Sequence, residues 1–213
     1  MIFVIYLVKR YAGRERRQMR VSREKAAENR RRIVETASRM FREAGFDGVG
    51  IDAIMNAAGL THGGFYGHFG SKEDLAAEAV AGALERGAEK QSGYTTLSDL
   101  ASEYLSERHR DDRANGCALA ALGADITRQG ERVRRGITAH VCAQLDYFVG
   151  LLKGGTAASR RKRAITTLAG MVGALTLARA VDDPTLAKEI LAVARDAFGG
   201  GSAGSAGRSP ARP

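Results

Sequence analysis

Apolar residues recur at helical spacing along nearly the whole chain, and no stretch alternates at period two. Within residues 30–44, Ile33, Ala37, Met40, Phe41 and Ala44 fall on one helical face. Arg31, Arg32, Glu35, Arg39 and Arg42 take much of the opposite side, and Gly45 ends the helix. A second helix is predicted over 51–58, with Ile54 and Ala58 turned inward. Gly48 and Gly50 precede it, Gly50 being a poorer N-cap than Ser or Thr, and Gly59 gives a sharp turn. A very short helix follows, capped by Thr61 and running to about His68. Ser71 and Asp74 form a capping-box pattern that opens a fourth helix, carried to about Glu89 by Leu75, Ala79, Val80 and Leu84.

The second half reads as helices over 97–107, 117–129, 131–153, 159–181 and 184–198, with a charged loop at 108–116. Val133, Ile137, Val141, Leu145, Phe148 and Leu152 line one side of the long 131–153 helix. Asp183 is placed to cap the last helix, with Pro184 at its first position. Leu186, Ile190, Leu191, Ala194 and Phe198 make its apolar face. The pattern therefore predicts an all-α chain. A three-helix unit containing a helix-turn-helix occupies 23–72, a larger helical domain 73–198, and a flexible Gly/Ser/Ala-rich tail 199–213. At the start, Met1 to Val8 is apolar and basic residues follow, the reverse of a signal peptide. Eight apolar residues fall short of the about 20 that span a bilayer. Residues 1–22 are expected to be a mobile extension or a mis-assigned start.

Composition supports helices: Trp is absent and Pro occurs three times among 213 residues. Charge adds a partner. The chain carries +9, and thirteen Lys/Arg against five Asp/Glu lie in residues 1–44, an electrostatic footprint for an anionic polymer. Other classes recede. The two cysteines make no disulfide framework, and the four His are scattered with no metal-ligand spacing. There is no G-x-S-x-G, H-E-x-x-H or phosphate loop, so no enzyme, metal or cofactor is expected.

Residues 57–73 carry the strongest signal: a small-residue helix end, a glycine turn, a short helix, a glycine break and a new capped helix. In Phe65-Tyr66-Gly67-His68-Phe69-Gly70-Ser71-Lys72-Glu73 the chain resembles the TetR-type family of one-component transcriptional regulators, over about residues 28–75. Residues 171–184 resemble the dimer-helix region of many members less specifically. The resemblance implies a cytoplasmic homodimer that binds double-stranded operator DNA and is released by a small-molecule inducer.

A recognition helix enters the major groove by its N-terminal residues, here Thr61, His62, Gly63 and Gly64. Thr61 and His62 offer hydrogen bonds to base edges, and the two glycines let the backbone come close. Tyr66, His68 and Lys72 suit phosphates, as do Arg30, Arg31 and Arg32 ahead of them; Gly50 is grouped with these DNA contacts. The helix lacks Arg, Lys, Asn and Gln, the strongest bidentate base readers, and Gly67 stands where family members often carry a larger side chain. Specificity is thus expected to lean on paired half-sites and on the basic arm.

In the second half, residues 164–178 are apolar nearly all round, which requires burial on two sides. Ala169, Gly170, Gly173 and Ala174 are expected to allow close helix approach in a dimer built by residues 159–198. Cys117, at a helix start, is either a small buried residue or a redox or electrophile sensor. The resemblance implies a ligand pocket in this half. Tyr104, Cys117, Leu119, Leu122, Cys142, Leu145, Tyr147, Phe148, Met171 and Leu175 are the candidates to line it, for a ligand expected to be apolar.

Overall fold

The computed structural model describes the backbone of residues 2–199 and the side chains of residues 23–199. Among these, helices make up the fold and no strand occurs. The elements are α1 (Ile2–Ala44), α2 (Ile51–Ala57), a short 3₁₀ helix (His62–Gly67), α3 (Lys72–Gln91), α4 (Leu97–Tyr104), α5 (Glu107–Asp111), α6 (Ala118–Ile126), α7 (Glu131–Leu151), α8 (Ala157–Ala180) and α9 (Pro184–Gly199). The backbone of the expected N-terminal extension continues α1 back to Ile2, and the expected tail beyond Gly199 lies outside the described residues.

Side-chain oxygens set several helix starts. Ser71 accepts from the Asp74 N–H at 3.0 Å, and Thr96 does the same for Asp99 at 3.1 Å. Asp183 accepts from the N–H groups of Thr185 and Leu186, at 2.8 and 3.3 Å, behind Pro184. Glycines with positive φ set two helix ends that matter for the site: Gly45 at +75° and Gly59 at +67°.

The helix expected over 97–107 is two. α4 stops at Tyr104, and Ser106 then caps α5 by accepting from His109 N–H at 3.1 Å. The supposed loop at 108–116 thus begins inside a helical turn. Ala44, expected to face inward, is exposed. Arg42, expected to be solvated, is buried. Its Nε donates to the Ala114 carbonyl at 2.6 Å and its Nη1 to Ser38 Oγ at 2.9 Å. Desolvation, and then the like charge of Arg86, bring its pKa down to about 10, so it stays a cation at neutral pH.

Two cores result. The first holds Ile33, Phe41, Ile54, Met55, Phe65 and Leu75 with neighbours from α1, α2, the 3₁₀ helix and α3. Ala118, Leu122 and Ile126 of α6 and Val133 of α7 belong to it too, so its packing runs on past residue 72. The second core joins α4, α7, α8 and α9 through Leu100, Leu105, Phe148, Met171, Leu175 and Leu191. Gly170 lies against the Phe198 ring, where a Cβ would sit 2.1 Å from its Cζ. The close approach at Gly170 is therefore made within one chain, whereas Gly173 faces open space.

Candidate nucleic-acid interface and cavity

The short 3₁₀ helix is seated by one side chain. Phe65 is fully buried and stacks on Phe69 with ring centroids 5.7 Å apart. Burial of a Phe of this kind is worth about 2–3 kcal/mol. The neighbouring residue must then point away: Tyr66 is 64% exposed and meets Phe65 edge-on at 5.2 Å. Thr61, His62, Gly63, Gly64 and Gly67 are exposed with it, and His68 and Lys72 are half-buried. Thr61 occupies the N-cap position, but its side chain makes no capping bond. Its hydroxyl therefore remains available to an outside partner.

His62 is held rather than loose. Its Nδ1 contacts the Asp52 carboxylate at the start of α2, and its ring lies 6.1 Å from Tyr66. Asp52 was not singled out in the sequence, because an acid in the first turn of a helix is accounted for by the macrodipole alone. With Nδ1 turned toward Asp52, Nε2 is directed elsewhere.

The arginines ahead of the motif divide. Arg30 forms a bidentate pair with Glu78 of α3, its Nη2 at 2.7 Å from Oε1, and its guanidinium lies 4.3 Å from the Phe69 ring centroid. The hydrogen bond from Arg30 holds the Glu78 carboxyl below its ordinary range. Arg30 is thus a strut between α1 and α3, with 39% of its side chain still exposed. Arg31 and Arg32 are exposed, with Arg32 touching Asn29 at 3.1 Å. Gly50 is exposed at the N-cap of α2, with no side-chain cap.

A cavity of about 510 Å³ lies farther along α3. One wall carries Arg42 of α1 with Arg86 and Lys90 of α3; other walls carry Tyr104, His109, Cys117 and Gln144. Of the ten side chains expected to line a pocket, Tyr104 and Cys117 do so. Leu122 packs in the first core; Leu145, Phe148, Met171 and Leu175 fill the second. Leu119 is half-buried outside the cavity lining. Cys142, another of the candidates, is exposed and outside the cavity lining. Tyr147 is a strut, its hydroxyl 2.6 Å from the Gln91 carbonyl and 2.9 Å from that of Tyr94. Helical periodicity finds inward faces, but it does not separate a filled interior from a hollow one.

His109 closes the cavity floor. Its Nδ1 lies 2.7 Å from the Tyr104 carbonyl, and Cys117 N–H donates to its Nε2 at 2.9 Å. Both bonds are satisfied only by the neutral Nδ1–H tautomer, and burial lowers its pKa accordingly. Behind it, Arg179 of α8 donates to the carbonyls of His109 and Arg110, at 2.7 and 3.1 Å.

A short exposed helix anchored by one aromatic, presented after a glycine turn and backed by a capped helix, defines a helix-turn-helix DNA-binding module. Residues 33–79, which hold this module, match the family model described as bacterial regulatory proteins, tetR family. Over 133 residues the chain is 37% identical to the HTH-type transcriptional regulator AcrR of Shigella flexneri, covering 62% of this chain and 55% of the relative. The chain thus spans little more than half the length of that curated relative. Two solved structures share the fold at a TM-score of 0.66. A TetR-family regulator from Cytophaga hutchinsonii is 21% identical, covering 82% of this chain and 94% of its own. One from Chloroflexus aurantiacus is 24% identical, covering 81% and 94%.

Proposed function

We propose that the protein is a dimeric, cytoplasmic transcriptional repressor that leaves its operator when a small molecule fills the cavity. The carrying observation is α3. Its first residue, Lys72, stands beside the exposed short helix, and its last turns, from Ala83 to Gln91, line the cavity. Anything that displaces the far end of this rigid element moves the near end.

Each subunit presents His62–Gly67 to a major groove, Thr61 and His62 to bases, and Tyr66, His68, Lys72, Arg31 and Arg32 to phosphates. Two-fold pairing sets half-sites about 34–36 Å apart. The pairing surface is apolar: Ile165 and Leu177 on α8, and Leu186 and Val193 on α9, are all exposed in the single chain. Ile165, Ala169 and Gly173 form one stripe at helical spacing, and Leu186, Ile190 and Val193 another. Such a face on a lone subunit calls for a partner. No helix among the described residues is long and apolar enough to cross a membrane.

The test is selection of bound DNA from a random pool, with sedimentation of the protein and a screen for compounds that release the DNA. A two-fold-symmetric site and a dimer at micromolar concentration are expected. Sequence-indifferent binding or a monomer refutes the reading. Cys117 lines the cavity and supports a second reading, sensing of an electrophile; a Cys117→Ser variant that is still released normally by electrophiles removes it.

A further inference from the structure

We infer that the cavity takes an organic anion, one that also carries a hydrogen-bonding group away from its charge. The inference deepens the ligand-responsive reading above and rests on it.

The charge at the α1/α3 wall lacks an opposite. Arg42 and Arg86 share one acceptor, Ser38 Oγ, at 2.9 and 3.2 Å. Ser38 is already committed as a donor, to the Ala79 carbonyl at 3.0 Å. Among the described residues neither guanidinium has a carboxylate within ion-pair distance. Lys90, one turn beyond Arg86, adds a third cation to the same lining. The two acids of the cavity are spoken for. Glu103 pairs with Arg108, and Asp112 accepts from the backbone and side chain of Asn115 at 3.2 and 2.9 Å. Arg42 is buried with only neutral acceptors, while Arg86 and Lys90 are exposed; an incoming anion supplies the group with the opposite charge that all three lack.

The other walls ask for a polar group. Tyr104 is 7% exposed and Gln144 is 5% exposed; both line the cavity. The Tyr104 hydroxyl and Gln144 Oε1 are buried with no hydrogen-bond partner in the protein. Buried polar atoms are nearly always paired, so two facing one hollow mark where a ligand's hydroxyl or N–H belongs. Leu84, Leu100 and Ala118 supply apolar contact for the body of the ligand. A volume of about 510 Å³ fits a molecule of drug size. This replaces the expectation of an apolar ligand. It also gives the signal a route: the Arg42 guanidinium that holds the Ala114 carbonyl is the group an anion recruits, so binding loosens α1 from the segment leading into α6.

The test uses the full chain and two dyes with the same rings. 1-Anilinonaphthalene-8-sulfonate is an anion, and N-phenyl-1-naphthylamine is its neutral counterpart. The sulfonate is expected to bind saturably at one site per subunit, more tightly than the neutral dye. Arg86→Gln, on an exposed stretch of α3 and so foldable, is expected to weaken the sulfonate about tenfold or more, the worth of one charge-assisted hydrogen bond, while changing the neutral dye less than twofold. Lys90→Gln is expected to act in the same direction. Failure of the sulfonate to bind, or equal effects on both dyes, overturns the inference. DNA release is read separately. Charge-selective binding that leaves the DNA complex intact upholds the anion site and overturns the ligand-responsive reading. Release by the neutral dye but not by the sulfonate does the reverse.

Discussion

Gly63→Ala separates the demands of the fold from those of DNA. Gly63 lies in the 3₁₀ helix with an ordinary negative φ, and a Cβ built there meets no atom within 4 Å. Nothing in the protein requires glycine at this position. Replacing glycine by alanine at a compatible site restricts the unfolded chain and stabilises the fold by about 0.4–1 kcal/mol. For a chain of this size that raises Tm by about 1–4 °C. The remaining reason for glycine is the approach of another surface. A methyl group at the groove-facing start of the helix holds the backbone off the bases, so operator affinity is expected to fall about tenfold, the cost of one lost base contact. Thermal unfolding checks the first half, and a titration of labelled operator at fixed salt checks the second. A variant that is more stable yet binds operator as the parent does refutes the backbone-approach role; one that is less stable refutes the geometry of the turn.

The opposite behaviour is expected at Gly116. A Cβ there would stand 2.8 Å from the Asp112 carbonyl oxygen and 2.9 Å from the His109 ring, so Gly116→Ala should destabilise by about 1–3 kcal/mol in chemical denaturation. Leu177→Glu or Val193→Glu, at positions 58% and 62% exposed, should leave the subunit folded by circular dichroism but monomeric in sedimentation. His109 has a folded-state pKa below its ordinary 6.5, so the unfolded chain binds the proton more readily. Its contribution to stability is complete above pH 6.5 and declines as pH falls below that value; a His109→Gln variant should show a flatter profile there.

The sequence carried the helix-turn-helix almost whole, because three kinds of local signal coincide there. The glycines at 45 and 59 demand a left-handed backbone, Ser71 and Asp74 cap each other, and Phe65 alternates with Tyr66 between core and solvent. Long-range polar pairs were not legible. Arg30 with Glu78 and Arg42 with Ala114 join residues 48 and 72 positions apart, and a charged side chain reads as solvated until its partner is known. The cavity was illegible for a related reason. Its lining comes from α1, α3, α4, α5, α7, the segment before α6 and the first residue of α6, and much of it is polar, so no single helical face announces it. The α8–α9 pair fell between these cases. Its apolar excess was visible, but only packing showed that Gly170 serves Phe198 within the chain while Gly173 stays open.

The packing of α6 and the first turn of α7 into the first core bears on how such proteins can be recombined. Leu122, Ile126 and Val133 cover the same cluster as Phe41 and Leu75. A hybrid sensor joined at residue 72 would graft a foreign helix surface onto that cluster and leave a void or a clash. Grafts that carry the α6 face along with the reading head, or that match its side-chain volumes, keep the seam intact. Interchangeable parts in this architecture are therefore defined by shared interior rather than by contiguous stretches of sequence.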